Sequence, residues 1–293
     1  MSARRGSDLR ILIVVLAFLT LTAGCSTRSG VAEFITYKSV FDDSAAVSTS
    51  IIDQLAASER AIGRYARLGG NTSAGKRFVV ADAAYFSEQA DPPLAAHYRK
   101  ALDVISRYNT IMLGYATGQG FDQLDAEIQA LATESAKTAD LVTGTTKIAG
   151  QFTPYLGLLH EFAKLGLSAR SRAVFRDKAL LYHDDIVSLI ETMRDGAPEV
   201  FDILADPIER DILNATISNA GTRELQAKHY KMRILISDWV VLMNRNIEAL
   251  NAVTYAIENP SLGPNLSGTT ASLLELQTTV SAVRKRLAEI NGG

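Results

Sequence analysis

The sequence predicts an all-α protein, an elongated antiparallel helical bundle that ends in a long C-terminal helical hairpin. Three observations lead there. Apolar residues recur at spacings of three and four through most of the chain, which places them on one face of a helix. No segment shows a convincing strand pattern. The region 222–291 holds two heptad seams separated by a short stretch of helix breakers.

The chain opens with Arg4, Arg5 and Arg10, an apolar run from Ile11 to Leu21, and small residues leading to a cysteine in LTAGC, Leu21 to Cys25. This is the layout of a secretory signal with its cleavage site. It resembles the lipobox of bacterial lipoprotein precursors, with Thr22 in the place that leucine usually takes. The resemblance covers the leader alone. It implies that residues 1–24 are a signal peptide and that Cys25, acylated with chains such as palmitate, becomes the first residue of the mature protein. The apolar run is well short of the ~20 residues that span a bilayer as a helix. Cys25 is also the only cysteine. No intramolecular disulfide is possible, and acylation removes a thiol that an exported protein would otherwise leave unpaired. Ser26 stands where an aspartate would mark inner-membrane retention in enteric bacteria, which implies the outer membrane. The expected layout is a short tether over residues 25–30 and a helical-bundle domain over 31–293, with a point of subdivision near 151–166.

Loss of residues 1–24 removes three arginines and one aspartate from 30 basic and 32 acidic side chains, leaving 27 and 31. The charges are mixed along the chain, without the basic stripe and interleaved aromatics that neutralise phosphates, so nucleic acid is not an expected partner. In chain order, Ser58 to Leu68 has helical spacing through Ile62, Tyr65 and Leu68. Asp91 before Pro92 and Pro93 reads as an N-cap with proline at the first helical position. Ala101, Ile105, Tyr108, Met112 and Tyr115 then mark a helix ending near Gly118. Phe121, Leu124, Ile128 and Leu131 begin another, whose later seam fades into serine and threonine. Phe175, Ala179, Tyr182, Ile186, Leu189 and Met193 mark a third, and Asp206 to Glu209 resembles a capping box that opens a short fourth.

The first arm of the hairpin carries Ile236, Val240, Met243, Ile247, Leu250, Thr254 and Ile257 at heptad spacing. Leu235, Trp239 and Leu242 widen its apolar face, so it is expected to be buried on two sides. After NPSLGPNLSG, Asn259 to Gly268, the second arm carries Leu273, Leu276, Val280, Val283, Leu287 and Ile290. Facing residues of an antiparallel pair have numbers with a nearly constant sum. Ile236 with Ile290, Met243 with Val283 and Leu250 with Leu276 each add to 526.

Reactive chemistry is sparse. GGNTSAGKR, Gly69 to Arg77, contains the glycine and lysine spacing of a nucleotide-binding P-loop, but that loop needs a strand before it and a Ser or Thr after the lysine. Here a helical pattern precedes it and Arg77 follows Lys76. It is read as an interhelical loop, with no nucleotide as ligand. His97, His160, His183 and His229 lack the spacings that build metal sites in helices. His183 with Asp184 and Asp185 is the best polar cluster, and its bland reading is a satisfied boundary histidine. Asp122, Asp125 and Glu127 read as a solvated face, and Tyr108, Met112 and Tyr115 as core rather than pocket. No catalytic residue, metal ligand or cofactor is assigned, and Cys25 is the one site named.

Three classes of function follow. The first is a non-enzymatic, lipid-anchored and periplasm-facing scaffold that docks an envelope protein partner. The second is a module that binds a small or lipidic ligand between helices, with the polar seam after Leu131 as one place for it. An enzyme ranks third, since fold class does not exclude one. If the Lys76 loop binds no nucleotide, Lys76→Ala should leave stability nearly unchanged, and MgATP should not raise the melting temperature of either protein. A MgATP shift that the substitution abolishes would restore the P-loop.

Overall fold

The computed structural model describes residues 30–68, 79–117, 172–214, 219–259 and 266–291. Six helices dominate: α1 (Val31–Leu68), α2 (Pro93–Thr117), α3 (Arg172–Asp195), α4 (Ala197–Asn214), α5 (Asn219–Glu258) and α6 (Leu266–Asn291). They pack on one another as an all-α bundle, with no strand among the described residues. The leader with Cys25, the Gly69 to Arg77 loop, the helix expected from Phe121, His160 and the expected subdivision near 151–166 lie outside the described residues.

The two longest helices form the frame. α1 has 38 residues and α5 has 40, so each runs ~57–60 Å at 1.5 Å per residue. Of α1, the helical spacing in the sequence marks only the last turns, from Ser58 to Leu68. Its core face is Phe34, Tyr37, Phe41, Val47, Ile51, Leu55 and Ala56, whereas Tyr65 and Leu68 at its end are exposed. The helix starts at Gly30, whose φ of 87° favours glycine. A Cβ there would stand 2.8 Å from Ile257 of α5. The Gly30 amide donates to Glu33 Oε2 at 2.7 Å, the reciprocal half of a capping box.

Against this frame the other helices alternate in direction. Trp239 Nε1 of α5 donates to Ser48 Oγ of α1 at 3.2 Å, and Asn246 Nδ2 donates to Ser44 Oγ at 2.8 Å. Later residues of one helix meet earlier residues of the other, so the two are antiparallel. α2 returns along α1, and its Tyr98 and Tyr108 hydroxyls donate to the carbonyls of Met193 and Ala179 on α3 at 3.4 Å each. Tyr108, Met112 and Tyr115 are core, at 1%, 0% and 5% exposure. α3 and α4 run along α5 as two segments joined at Gly196, with Pro198 in the first turn of α4, where its missing N–H costs nothing.

Two expected helix starts are corrected. Asp91 does not cap α2: Pro92 O accepts the first helical bond, from Ala96 N at 2.9 Å, and the Asp91 carboxylate turns to Arg99. Asp206 to Glu209 does not open a helix but lies within α4, where Asp206 pairs with Arg210 one turn on at 2.8 Å. The proline that marks the start of α4 is Pro198. Pro207 sits in the interior, tolerated although it removes one backbone donor.

The hairpin of α5 and α6 is present, and α5 is buried on two sides as expected. Leu235, Trp239 and Leu242 are fully buried, and so are Leu276 and Val283 of α6. The register differs from the expected one. Asp238–Arg286 (3.4 Å), Arg245–Glu275 (2.7 Å) and Ala252 O–Thr269 (3.4 Å) join residues whose numbers add to between 520 and 524. A sum of 523, inside that range, sets Ile236 against Leu287, Val240 against Val283, Met243 against Val280, Ile247 against Leu276 and Leu250 against Leu273. All five pairs are seam residues, whereas 526 matches three. In a soluble chain beginning at Ser26, Met243→Cys with Val280→Cys should therefore oxidise to an intramolecular disulfide faster than Met243→Cys with Val283→Cys, because Cβ atoms must approach within about 4.5 Å. Faster closure of the second pair, read by gel mobility, would restore the 526 register.

Candidate functional site

Three places gather polar or open surface. The first is the start of α2. Both oxygens of Glu59, on α1, accept backbone amides there, from Leu94 at 3.1 Å and Ala95 at 3.0 Å. A carboxylate at a helix N-terminus satisfies orphan donors and meets the positive end of the helix dipole. Burial pushes the Glu59 carboxyl above the usual range, the two amides oppose that rise, and Glu199 and Asp91 add to it. Around this cap Arg99 joins Asp91 (2.5 Å) to Asp53 (2.8 Å), and Arg60 donates to Ala90 O at 2.9 Å. These residues rim a polar recess of about 390 Å³. The connection from 79 to 92 is pressed onto α1 at Gly63, where any Cβ would overlap the Tyr85 ring. The Arg67 guanidinium covers that ring at 3.9 Å and pairs with Asp82 at 2.6 Å.

The second place is a groove of about 860 Å³ where the α3–α4 elbow meets α5. Ala197, Pro198, Phe201, Ile236 and Val240 give it an apolar floor, and its charged lining is of both signs, Arg194 and Arg233 with Asp195 and Asp202. Arg194 is committed, donating to Asp195 at 2.8 Å and to Asn244 Oδ1 at 3.1 Å. Arg233 lies 4.6 Å over the Phe201 ring and makes no ion pair among the described residues.

The third place is internal. Tyr37 and Asn109 are fully buried, and neither the Tyr37 hydroxyl nor the Asn109 carboxamide completes a hydrogen bond, although the two groups interact. Burial holds the Tyr37 hydroxyl far above the ordinary phenol range, and so it does those of Tyr98 and Tyr108. All three stay neutral at any physiological pH.

The histidine cluster is not assembled into a site. His183 Nδ1 lies 3.0 Å from Thr254 Oγ1, a half-buried contact between α3 and α5, while Asp184 faces solvent. This is the satisfied boundary histidine of the bland reading. His97 is hydrogen-bonded to Pro93 O at 2.5 Å, and His229 to Glu209 at 3.1 Å. Among the described residues no group of three or more His, Cys, Asp or Glu is placed to hold a metal ion. Comparison with protein-family models, with curated proteins and with solved structures returns no match.

Sequence reasoning missed Glu59 and the groove. Glu59 falls on the buried stripe Ile52, Leu55, Ala56, and an acid on an apolar seam was the available signal. The groove depends on how α3, α4 and α5 meet, which no local pattern states. Glu59→Ala should lower stability by about 1–3 kcal/mol, the cost of leaving buried amides unpaired. The folded protein holds the Glu59 proton more tightly than the unfolded chain does. The residue's contribution therefore grows as pH falls through its raised pKa and is smallest at neutral pH. In denaturant titrations the gap between wild type and variant should widen from about pH 7 toward about pH 5. A gap that narrows would mean that the fold favours the charged form.

Proposed function

We propose that this is a lipid-anchored, periplasm-facing protein of the bacterial envelope, held through Cys25 to the outer membrane, whose helical bundle docks a protein partner rather than catalysing a reaction. The observation that carries this reading is the lone cysteine in LTAGC, placed five residues before Gly30, where the long bundle begins. Among the described residues no helix is long and apolar enough to cross a membrane, so in this reading attachment rests on the lipid. The polar groups that could have suggested chemistry have structural work: Glu59 caps α2, Arg99 ties Asp53 to Asp91, and His183 meets Thr254.

A second reading, a module for a lipidic or other small amphiphilic ligand, is favoured by one feature. The groove over Ile236 and Val240 is large enough for such a molecule, in the range of ligand pockets, and Arg233 offers a charge for its head. Native mass spectrometry of the detergent-extracted protein separates the readings, since a co-purifying small molecule lost in Val240→Trp supports the second.

The anchor is tested separately. Wild-type protein should partition with membranes and show an intact mass above that of the polypeptide from Cys25. Cys25→Ser should remain an unprocessed precursor or appear as a soluble body. A mature wild-type mass equal to the bare polypeptide would overturn the proposal.

A further inference from the structure

The two ends of the bundle differ. One end gathers the beginning of α1, the end of α2, the beginning of α3, the end of α5 and the beginning of α6. Gly30 packs on Ile257, the Phe34 and Phe175 rings meet at 5.3 Å, Arg176 donates to Glu258 O at 3.2 Å, and Thr269 bonds Ala252 O. The opposite end gathers the end of α1, the 79–86 connection, the end of α4 and the beginning of α5. There Arg210 covers the Tyr65 ring at 4.5 Å, Arg64 donates to Tyr85 O at 2.7 Å, and His229 meets Glu209. Twelve large apolar side chains are exposed among the described residues, and seven of them lie at this far tip, among them Tyr65, Leu68, Val80, Leu213 and Tyr230. A cluster of exposed apolar residues would ordinarily be read as the surface that touches lipid.

The tether argues otherwise. Gly30 is locked into the first end by its conformation, by its bond to Glu33 and by its contact with Ile257. Residues 26–30 can extend at most ~18 Å, while α1 separates the two ends by ~57 Å. Among the described residues the long sides offer no continuous apolar stripe to lie on apart from the groove floor at the α3–α4 elbow. They carry charges of both signs in pairs such as Asp43–Arg284, Asp53–Arg99 and Arg245–Glu275, and their exposed apolar residues, Leu181, Val241 and Leu274, are scattered.

Resting on the proposed lipid at Cys25, we propose that the bundle meets the lipid leaflet with the end built around Gly30, Ile257 and Phe175, and stands upright with its apolar tip directed away from the membrane. The tip is thereby kept out of its own leaflet.

The test uses the full-length protein reconstituted in phosphatidylethanolamine–phosphatidylglycerol vesicles that contain headgroup-nitroxide lipid. Acylated Cys25 does not react with maleimide, so one added cysteine takes the fluorophore: Tyr255→Cys near the anchor end, or Leu213→Cys at the tip, both at exposed positions. Quenching should be several-fold stronger at residue 255 than at residue 213. Equal quenching would mean that the bundle lies flat, and stronger quenching at 213 that the tip enters lipid; either overturns the proposal. Flotation separates this from the anchor: protein that fails to float, and whose Cys25 takes the label, defeats the lipid reading instead. If Tyr255→Cys folds poorly by circular dichroism, Ile35→Cys reports from the same end.

Discussion

The contact of α5 with α1 joins the two helices on which all the others pack. α6 and α4 each pack on both, α2 packs on α1, and α3 packs on α5. At its centre Trp239 is fully buried, edged by the Tyr98 ring at 5.7 Å and held by Ser48 through its indole N–H. Truncation of such a side chain typically costs about 3–5 kcal/mol, a large part of the 5–15 kcal/mol that stabilises a typical domain. Asn246 and Ser44 add a polar bond one turn or two away. Because Trp239 and Asn246 must meet small hydroxyls and not merely apolar surface, the two helices are fixed in one register as well as being held together.

That register decides where function can lie. Antiparallel pairing brings Gly30, at the start of α1, to Ile257, near the end of α5. The same pairing sends the end of α1 to the start of α5, which is why the exposed apolar residues collect at the opposite tip. The groove has a different origin. Gly196 interrupts the path of α3 and α4, and the elbow leaves Ile236 and Val240 of α5 incompletely covered beside Phe201. The Gly30 end, the groove and the apolar tip thus follow from two features, the α1–α5 register and one break.

Fold class was legible because it needed only periodicity: the seams of α2 and α3 named in the sequence are buried throughout, and those of α5 and α6 are buried except at Val240, Ile247, Thr254 and Ile290, which are half-buried. Helix starts were less legible. Asp91 and Asp206 stand before prolines and satisfy local capping rules, yet α2 takes its cap from Glu59, 35 residues away in sequence, and α4 starts before Pro198. Local rules rank local partners and cannot see one supplied by another helix. The hairpin register was readable but chosen on too few pairs, since alternating steps of three and four allow two alignments, one matching five seam pairs and the other three. Of the sites, His183 was read correctly as a boundary residue. Glu59 was overlooked although an acid on the Ile52, Leu55, Ala56 stripe announces a buried partner. The groove was beyond any local reading.

The central claim is that α1 and α5 hold the bundle together as one cooperative unit. Trp239, the only tryptophan, reports directly on that contact, while far-ultraviolet circular dichroism reports on all helices. In a denaturant titration the two signals should give a single superimposable transition, with Trp239 emission blue-shifted until it begins. A Trp239 transition complete while most of the helical signal persists would show that the other helices stand without the α1–α5 contact, and would contradict the account.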